Sequence, residues 1–129
     1  MVERILMRTS QKQIKFAKMV VMLLQKAWEI GLLPVIKEVQ RHPVVQEWYL
    51  KKGLTKTRFS KHLDALAIDI DLFNMKGDLL TGKDDFLPLG LYWESLGGRW
   101  GGNWDMDSNI AEAENWEVDF RHFEFYKEW

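Results

Sequence analysis

From Ile14 onward, apolar side chains recur at three- and four-residue steps: Ile14, Ala17, Val21, Leu24 and Trp28. That period predicts an amphipathic helix over residues 10–31 with this stripe turned to the core. Ser10 followed by Gln13 reads as its capping box, and Gly31 with Pro34 beyond it reads as its end. The pattern then shortens. Residues 35–40 read as a strand, and residues 44–52 suit a short helix that starts after Pro43 and closes at Gly53. A polar, basic loop over 54–59 delivers Ser60 and His62. Residues 65–73 carry the clearest strand signal. Leu66, Ile68, Ile70 and Leu72 share one face, and Ala65, Ala67, Asp69 and Asp71 share the other. The second face is small and acidic, and a buried aspartate there needs a cation or hydrogen-bond donors.

Asn74 to Gly77 supplies a turn, and residues 85–96 read as another helix. Gly97-Gly98-Arg99-Trp100-Gly101-Gly102-Asn103-Trp104 reads as a glycine–tryptophan loop. It lacks the Gly-Lys-Ser/Thr of a phosphate-cradling loop. Residues 105–115 read as a polar surface loop and 118–126 as the last strand. With no repeat or linker, 129 residues form one expected domain, large enough for a real core. The expected fold class is α+β: a small antiparallel sheet packed against helices, the long first helix behind it.

Charge and composition remove several function classes. Eighteen basic residues against nineteen acidic ones give a net charge of −1, so no basic field attracts nucleic acid. Cysteine is absent, which excludes disulfides and thiolate metal sites; any metal must use His, Asp or Glu. The apolar run 19–24 is too short to span a bilayer and is flanked by Lys18 and Lys26. The first eight residues lack a signal-peptide core, so the expectation is a soluble protein made in the cytoplasm.

Two short segments hold the chemistry, Ser60 to Asp69 and Asp119 to Glu124. They offer two imidazoles, a ligand carboxylate and a spare carboxylate. Two histidines and one carboxylate are a common ligand set for catalytic zinc, with a further position left open. The spare carboxylate, Asp119, could handle a proton. His42, before a proline and in polar surroundings, reads as structural.

At these residues the chain resembles the VanY-type zinc peptidases, which include D-alanyl-D-alanine carboxypeptidases and phage L-alanyl-D-glutamate endopeptidases. The first family motif, Ser-x-His followed by x-x-Gly-x-Ala-x-Asp, stands here as Ser60, His62, Ala67 and Asp69, with Ala65 in place of glycine. The second stands as Trp116, Asp119, His122, Phe123 and Glu124, with Arg121 where proline often precedes the histidine. Trp100-Gly101-Gly102-Asn103-Trp104 resembles the Trp-Gly-Gly-Asp segment. Arg41, Gln46, Tyr49 and Gly53 resemble upstream positions, with His42 replacing a small hydroxyl residue. The resemblance spans residues 36–126.

The resemblance implies a Hedgehog/D,D-peptidase-like fold and a Zn2+ site made by His62, Asp69 and His122. It implies Asp119 as the general base, which takes a proton from the attacking water and passes it to the leaving amine. Residues three apart on a regular strand face opposite sides, so the chain around Phe120 and Arg121 must be irregular for Asp119 to share a site with His122. Arg41 is the candidate for holding the oxyanion or a substrate carboxylate. Ser60 and Glu124 are candidates for holding the ligand histidines in one tautomer. Asp71 shares the metal-facing side of its strand but is not assigned as a ligand. Trp93 reads as core packing, while Trp100 and Trp104 fit packing or a substrate groove.

The implied function is a peptidase of peptidoglycan stem peptides, of the phage L-alanyl-D-glutamate endopeptidase kind. It would act as a monomer on the cell wall after release, with a holin as the expected partner for that step. A D-alanyl-D-alanine carboxypeptidase is the neighbouring expectation. A non-catalytic, zinc-stabilised wall-binding or virion module is the competing one.

Overall fold

The structure is a computed structural model that describes residues 8–53, 61–103 and 119–126. The first helix, α1, runs Thr9–Glu29, but it turns a different stripe to the core than its strongest periodicity suggests. Phe16, Met19, Leu23 and Ala27 are buried. Ile14, Val21 and Trp28 are 60%, 55% and 57% exposed. The helix carries two apolar stripes roughly a third of a turn apart, and the sheet takes the one holding Phe16, whose ring meets Trp93 edge-on at 5.7 Å. The cap also differs from the expected Ser10–Gln13 box. The Arg8 N–H donates to Gln11 Oε1 at 2.8 Å. Gln13 instead donates through Nε2 to the Asp64 carbonyl at 2.7 Å, tying α1 to the segment that carries His62.

Strand β1, Leu33–Glu38, lies antiparallel to β2, Ala67–Phe73. It begins and ends two residues before the expected strand. Helix α2, Pro43–Lys51, follows. Its cap is His42, whose Nδ1 accepts from the Val44 N–H at 3.0 Å. An imidazole thus does the capping work that a small hydroxyl residue would do. In β2 the expected alternation holds: Ile68, Ile70 and Leu72 are buried on one face while Asp69 and Asp71 are half-buried on the other.

The Asn74 turn is an Asx turn, with Asn74 Oδ1 accepting from the N–H groups of Lys76 and Asp78 at 2.9 and 3.0 Å. It leads into a two-residue strand, β3, Leu79–Leu80, paired with Leu72 and Phe73. Helix α3 runs Lys83–Ser95. The glycine–tryptophan run corrects the loop expectation. Gly98–Trp100 form strand β4, and Gly101–Asn103 form one 3₁₀ turn. Three residues flanked by glycine are too few to show alternation; pairing with the last strand makes them a strand. That last strand, β5, is His122–Phe125, shorter than the expected 118–126. The expected loops 54–59 and 105–115, together with Ser60, Trp104 and Trp116, lie outside the described residues.

The sheet is α+β in context and antiparallel, ordered β1-β2-β5-β4 with β3 on the end of β2. One face carries Ile68, Ile70, Leu72, Trp100, Phe123 and Phe125 against α1 and α3, which supply Phe16, Leu23, Phe86, Leu89 and Trp93. The other face carries Asp69, Asp71 and His122. Among the described residues, no helix is long and apolar enough to cross a membrane.

Candidate metal centre and its surroundings

The site is built on the middle of β2. Asp69 is paired in register with His122 of β5 on one side and with Glu38 of β1 on the other. The second pairing depends on a β-bulge between Ile36 and Glu38. The extra residue, Lys37, brings Glu38 opposite Asp69 and re-aims the chain beyond it. His62 comes from a 3₁₀ turn, Lys61–Asp64, that precedes β2.

Ala65 joins that turn to the strand with φ of 56°, the left-handed conformation that favours glycine. It was expected at the start of β2 with its methyl on the small face; it stands outside the strand. Glycine would adopt this conformation at no steric cost. Ala65→Gly relieves a left-handed alanine, which costs about 1–2 kcal/mol. That gain is offset by the roughly 0.4–1 kcal/mol that glycine adds to the unfolded chain's freedom. The expected result is a small rise in the denaturation midpoint with an unchanged slope; a clear fall would contradict this placement.

His62 and His122 converge on the two oxygens of Asp69. His62 Nε2 lies 3.2 Å from Asp69 Oδ2, and His122 Nδ1 lies 3.0 Å from Asp69 Oδ1. One ligand atom from each of the three residues lies within 4.8 Å of the others, so the group can hold a metal ion. The outward nitrogens fit that use. His62 Nδ1 is 2.7 Å from the Val39 carbonyl, which can only accept, so Nδ1 carries a proton and Nε2 is the nitrogen that would offer its lone pair to a metal. His122 Nε2 is 2.8 Å from Glu124 Oε1, which leaves Nδ1 to face Asp69. This is the arrangement in which outer acceptors fix the tautomer of metal-ligating histidines. A donor set of two imidazoles and a carboxylate, without sulfur, suits a borderline divalent metal.

The electrostatics of the metal-free site point the same way. Burial works against the Asp69 charge, but hydrogen bonds from His122 and His62 and their charge hold its carboxyl well below the usual carboxylate range. Burial would push the His122 imidazolium down, but Asp69 and Glu124 outweigh it and raise it to about 9. A cation therefore belongs between these carboxylates, and without a metal a proton fills that role. The sign follows from linkage. This contribution to the metal-free fold is fully present below the ordinary histidine value of 6.5 and is lost as pH rises through about 9. A metal must displace the proton on Nδ1. Its affinity is expected to rise about tenfold per pH unit until His122 is neutral, near pH about 9, and then level off. Competition with a chromophoric chelator across this range would check it; a flat profile would remove His122 from the ligand set.

Asp119 is not on β5. Residues 119–121 form a turn before the strand, as sharing a site with His122 requires. Every carbonyl of the turn is held. Asp119 O accepts from His122 N–H at 3.0 Å, Phe120 O from the Trp100 indole at 2.7 Å, and Arg121 O from Ile70 N–H at 3.1 Å. Asp119 Oδ1 accepts from the Arg121 N–H at 3.2 Å. Burial and then the neighbouring Asp69 charge raise the proton affinity of Asp119. That is the direction useful to a group that takes up a proton.

Trp100 is fully buried, so of its two expected roles it takes packing and support of this turn. Trp93 is buried as expected and donates to the Glu124 carbonyl at 2.9 Å. Glu94 is a support that periodicity did not reveal. Its carboxylate takes the Trp100 N–H at 3.3 Å and the Asn103 amide at 2.8 Å.

Arg41 is 9% exposed and sits beside the triad. Its Nε donates to Glu38 Oε1 at 2.9 Å, Nη1 donates to Gln46 Oε1 at 2.8 Å, and Nη2 also meets Glu38. Its guanidinium lies over the Tyr49 ring at 4.6 Å and 4.0 Å from Asp69 Oδ2. Three upstream residues quoted for the resemblance, Arg41, Gln46 and Tyr49, thus form one cluster. Glu38 is the member that sequence reading missed. Its signal was its place three residues before Arg41, hidden because 35–40 read as plain strand. Asp71 pairs with Arg121 Nε at 3.2 Å and faces no ligand histidine.

No family model matches the chain, and no curated protein matches it. Among solved structures it is similar to the crystal structure of Serratia marcescens L-Ala D-Glu endopeptidase ChiX. The fold is shared. The match covers 96% of this chain and 90% of that one, at 18% sequence identity and a TM-score of 0.62.

Proposed function

We propose that the chain is a zinc-dependent peptidase acting on peptidoglycan stem peptides, of the L-alanyl-D-glutamate endopeptidase kind found in phages. The observation that carries the reading is the convergence of His62, Asp69 and His122 beside an Asp119 held out of β5 by a fully bonded turn. A structural metal site has no use for a spare, partly desolvated carboxylate at its edge. The fold shared with an L-Ala D-Glu endopeptidase supports the substrate class.

His62, Asp69 and His122 would hold the metal. Bound there, zinc supplies Lewis-acid activation of water and of the scissile carbonyl. Asp119 accepts the proton of the attacking water and returns it to the leaving amine. Glu124 and the Val39 carbonyl keep both imidazoles in their ligating tautomers. Arg41, fixed by Glu38 and Gln46, keeps N–H groups on its Nη atoms for the developing oxyanion or a substrate carboxylate. Ser60 is proposed to support His62 from the segment just before it.

Digestion of purified peptidoglycan by the zinc-loaded protein tests the reading, with products identified by mass spectrometry. New N-terminal D-glutamate ends are expected. Release of terminal D-alanine would make the enzyme a carboxypeptidase. No cleavage of several wall chemotypes by folded, zinc-loaded protein would overturn the peptidase reading in favour of a binding module.

A further inference from the structure

Arg121 stands between the proposed base and a metal-ligating histidine, yet its side chain holds neither. It reaches back along the acidic face of β2 to Asp71, Nε to Oδ1 at 3.2 Å. Asp71 is two residues from Asp69 on the same face, so this anchor is about 7 Å along the strand from the metal group. The guanidinium lies over Phe120 at 4.9 Å and Phe86 at 5.9 Å, and the side chain is 36% exposed. Among the described residues, its Nη groups carry no hydrogen bond. Lys37, placed by the β-bulge, brings Nζ within 3.9 Å of Asp71 Oδ2. Two cations share one carboxylate, which leaves a net positive, partly open position at the edge of the site. An aromatic shelf under a half-exposed guanidinium with an anchored Nε presents its Nη edge for paired hydrogen bonds to a carboxylate.

The substrate class proposed above has such a group in the right place. D-Glutamate in a stem peptide is joined onward through its side-chain carboxyl, so its α-carboxylate is free and lies two bonds from the scissile nitrogen. We propose that Arg121, anchored by Asp71 with Lys37 beside it, is the subsite for this α-carboxylate and selects stem peptides whose D-glutamate is not amidated; the proposal rests on the peptidase reading.

The test uses two stem peptides that differ only in having a free or amidated D-glutamate α-carboxyl, with the full zinc-loaded chain. The wild type is expected to favour the free carboxylate. Arg121→Gln should lower kcat/KM for that peptide by about 10–100-fold, the worth of one charge-assisted contact, mostly through KM. The amidated peptide should lose less than the free-carboxylate peptide, and Arg121→Lys should keep part of the preference. Arg121 also lowers the proton affinity of Asp119. That effect is common to both peptides, so the ratio between them isolates the subsite. Equal cleavage of both peptides by wild type, or an equal loss on both in Arg121→Gln, overturns the subsite while leaving the peptidase reading standing. Cleavage of neither by wild type overturns both.

Discussion

Asp119→Asn is expected to lower turnover of a stem peptide by about 10²–10⁴-fold, the usual worth of a positioned general base. Metal content and fold should survive. Asparagine keeps an oxygen for the Arg121 N–H, and the carbonyls of the turn are held by His122, Trp100 and Ile70, none of which the substitution touches. What it loses is the ability to take up a proton. The metal-free variant should be at least as stable as the wild type at neutral pH. Burial and then the Asp69 charge disfavour the ionised form of the wild-type carboxylate in the folded chain, and asparagine carries no charge to be disfavoured. Activity, bound zinc and melting temperature measured on the same preparations separate the roles. Equal activity in variant and wild type would remove Asp119 from the mechanism. Loss of zinc along with activity would make it part of the metal's support.

Much of this arrangement was legible in the chain, and the misses have physical causes. The alternation of Ile68, Ile70 and Leu72 with Asp69 and Asp71 is a one-dimensional record of a sheet with one wet face, and the folded strand keeps it, while Ala65 and Leu66 fall outside that strand. The parity argument for a turn at 119–121 worked because strand geometry forbids the alternative. Helix α1 failed differently. Both of its stripes satisfy the helical period, and only the sheet decides which is covered, information absent from the helix itself. The Glu38–Arg41–Gln46 cluster depends on a bulge, which leaves no mark in hydrophobic patterning. Strand β4 was missed because it begins with a glycine and is followed by glycines, two of them needed for side-chain packing. A Cβ on Gly98 would enter the Trp93 indole, and one on Gly102 would enter the Trp100 ring.

Gly101 shows how such a glycine reaches the chemistry. Its carbonyl accepts the Asp119 N–H at 3.2 Å, and a Cβ built on it would overlap the Asp119 carbonyl oxygen and stand 3.2 Å from His122 Cβ. The obstacle is backbone, which cannot rotate aside as a side-chain tip can. Gly101→Ala must push the 119–121 turn away from the 3₁₀ turn that holds Gly101 or open the end of β5. Overpacking of this kind costs about 1–3 kcal/mol, enough to lower the melting temperature by several degrees in a chain of this size. The functional effect should be larger than the stability effect. Moving a reacting group by roughly 1 Å can cost about a hundredfold in rate, and this substitution moves the proposed base directly. Gly82→Ala is the matched control, because its Cβ would meet only the end of the Asp85 carboxylate at 3.2 Å. A Gly101→Ala protein that melts and cleaves like the wild type would show that Asp119 is not seated against Gly101. One that binds zinc, stays folded and has lost activity would show that the turn's position, and not the presence of its carboxylate alone, sets the chemistry.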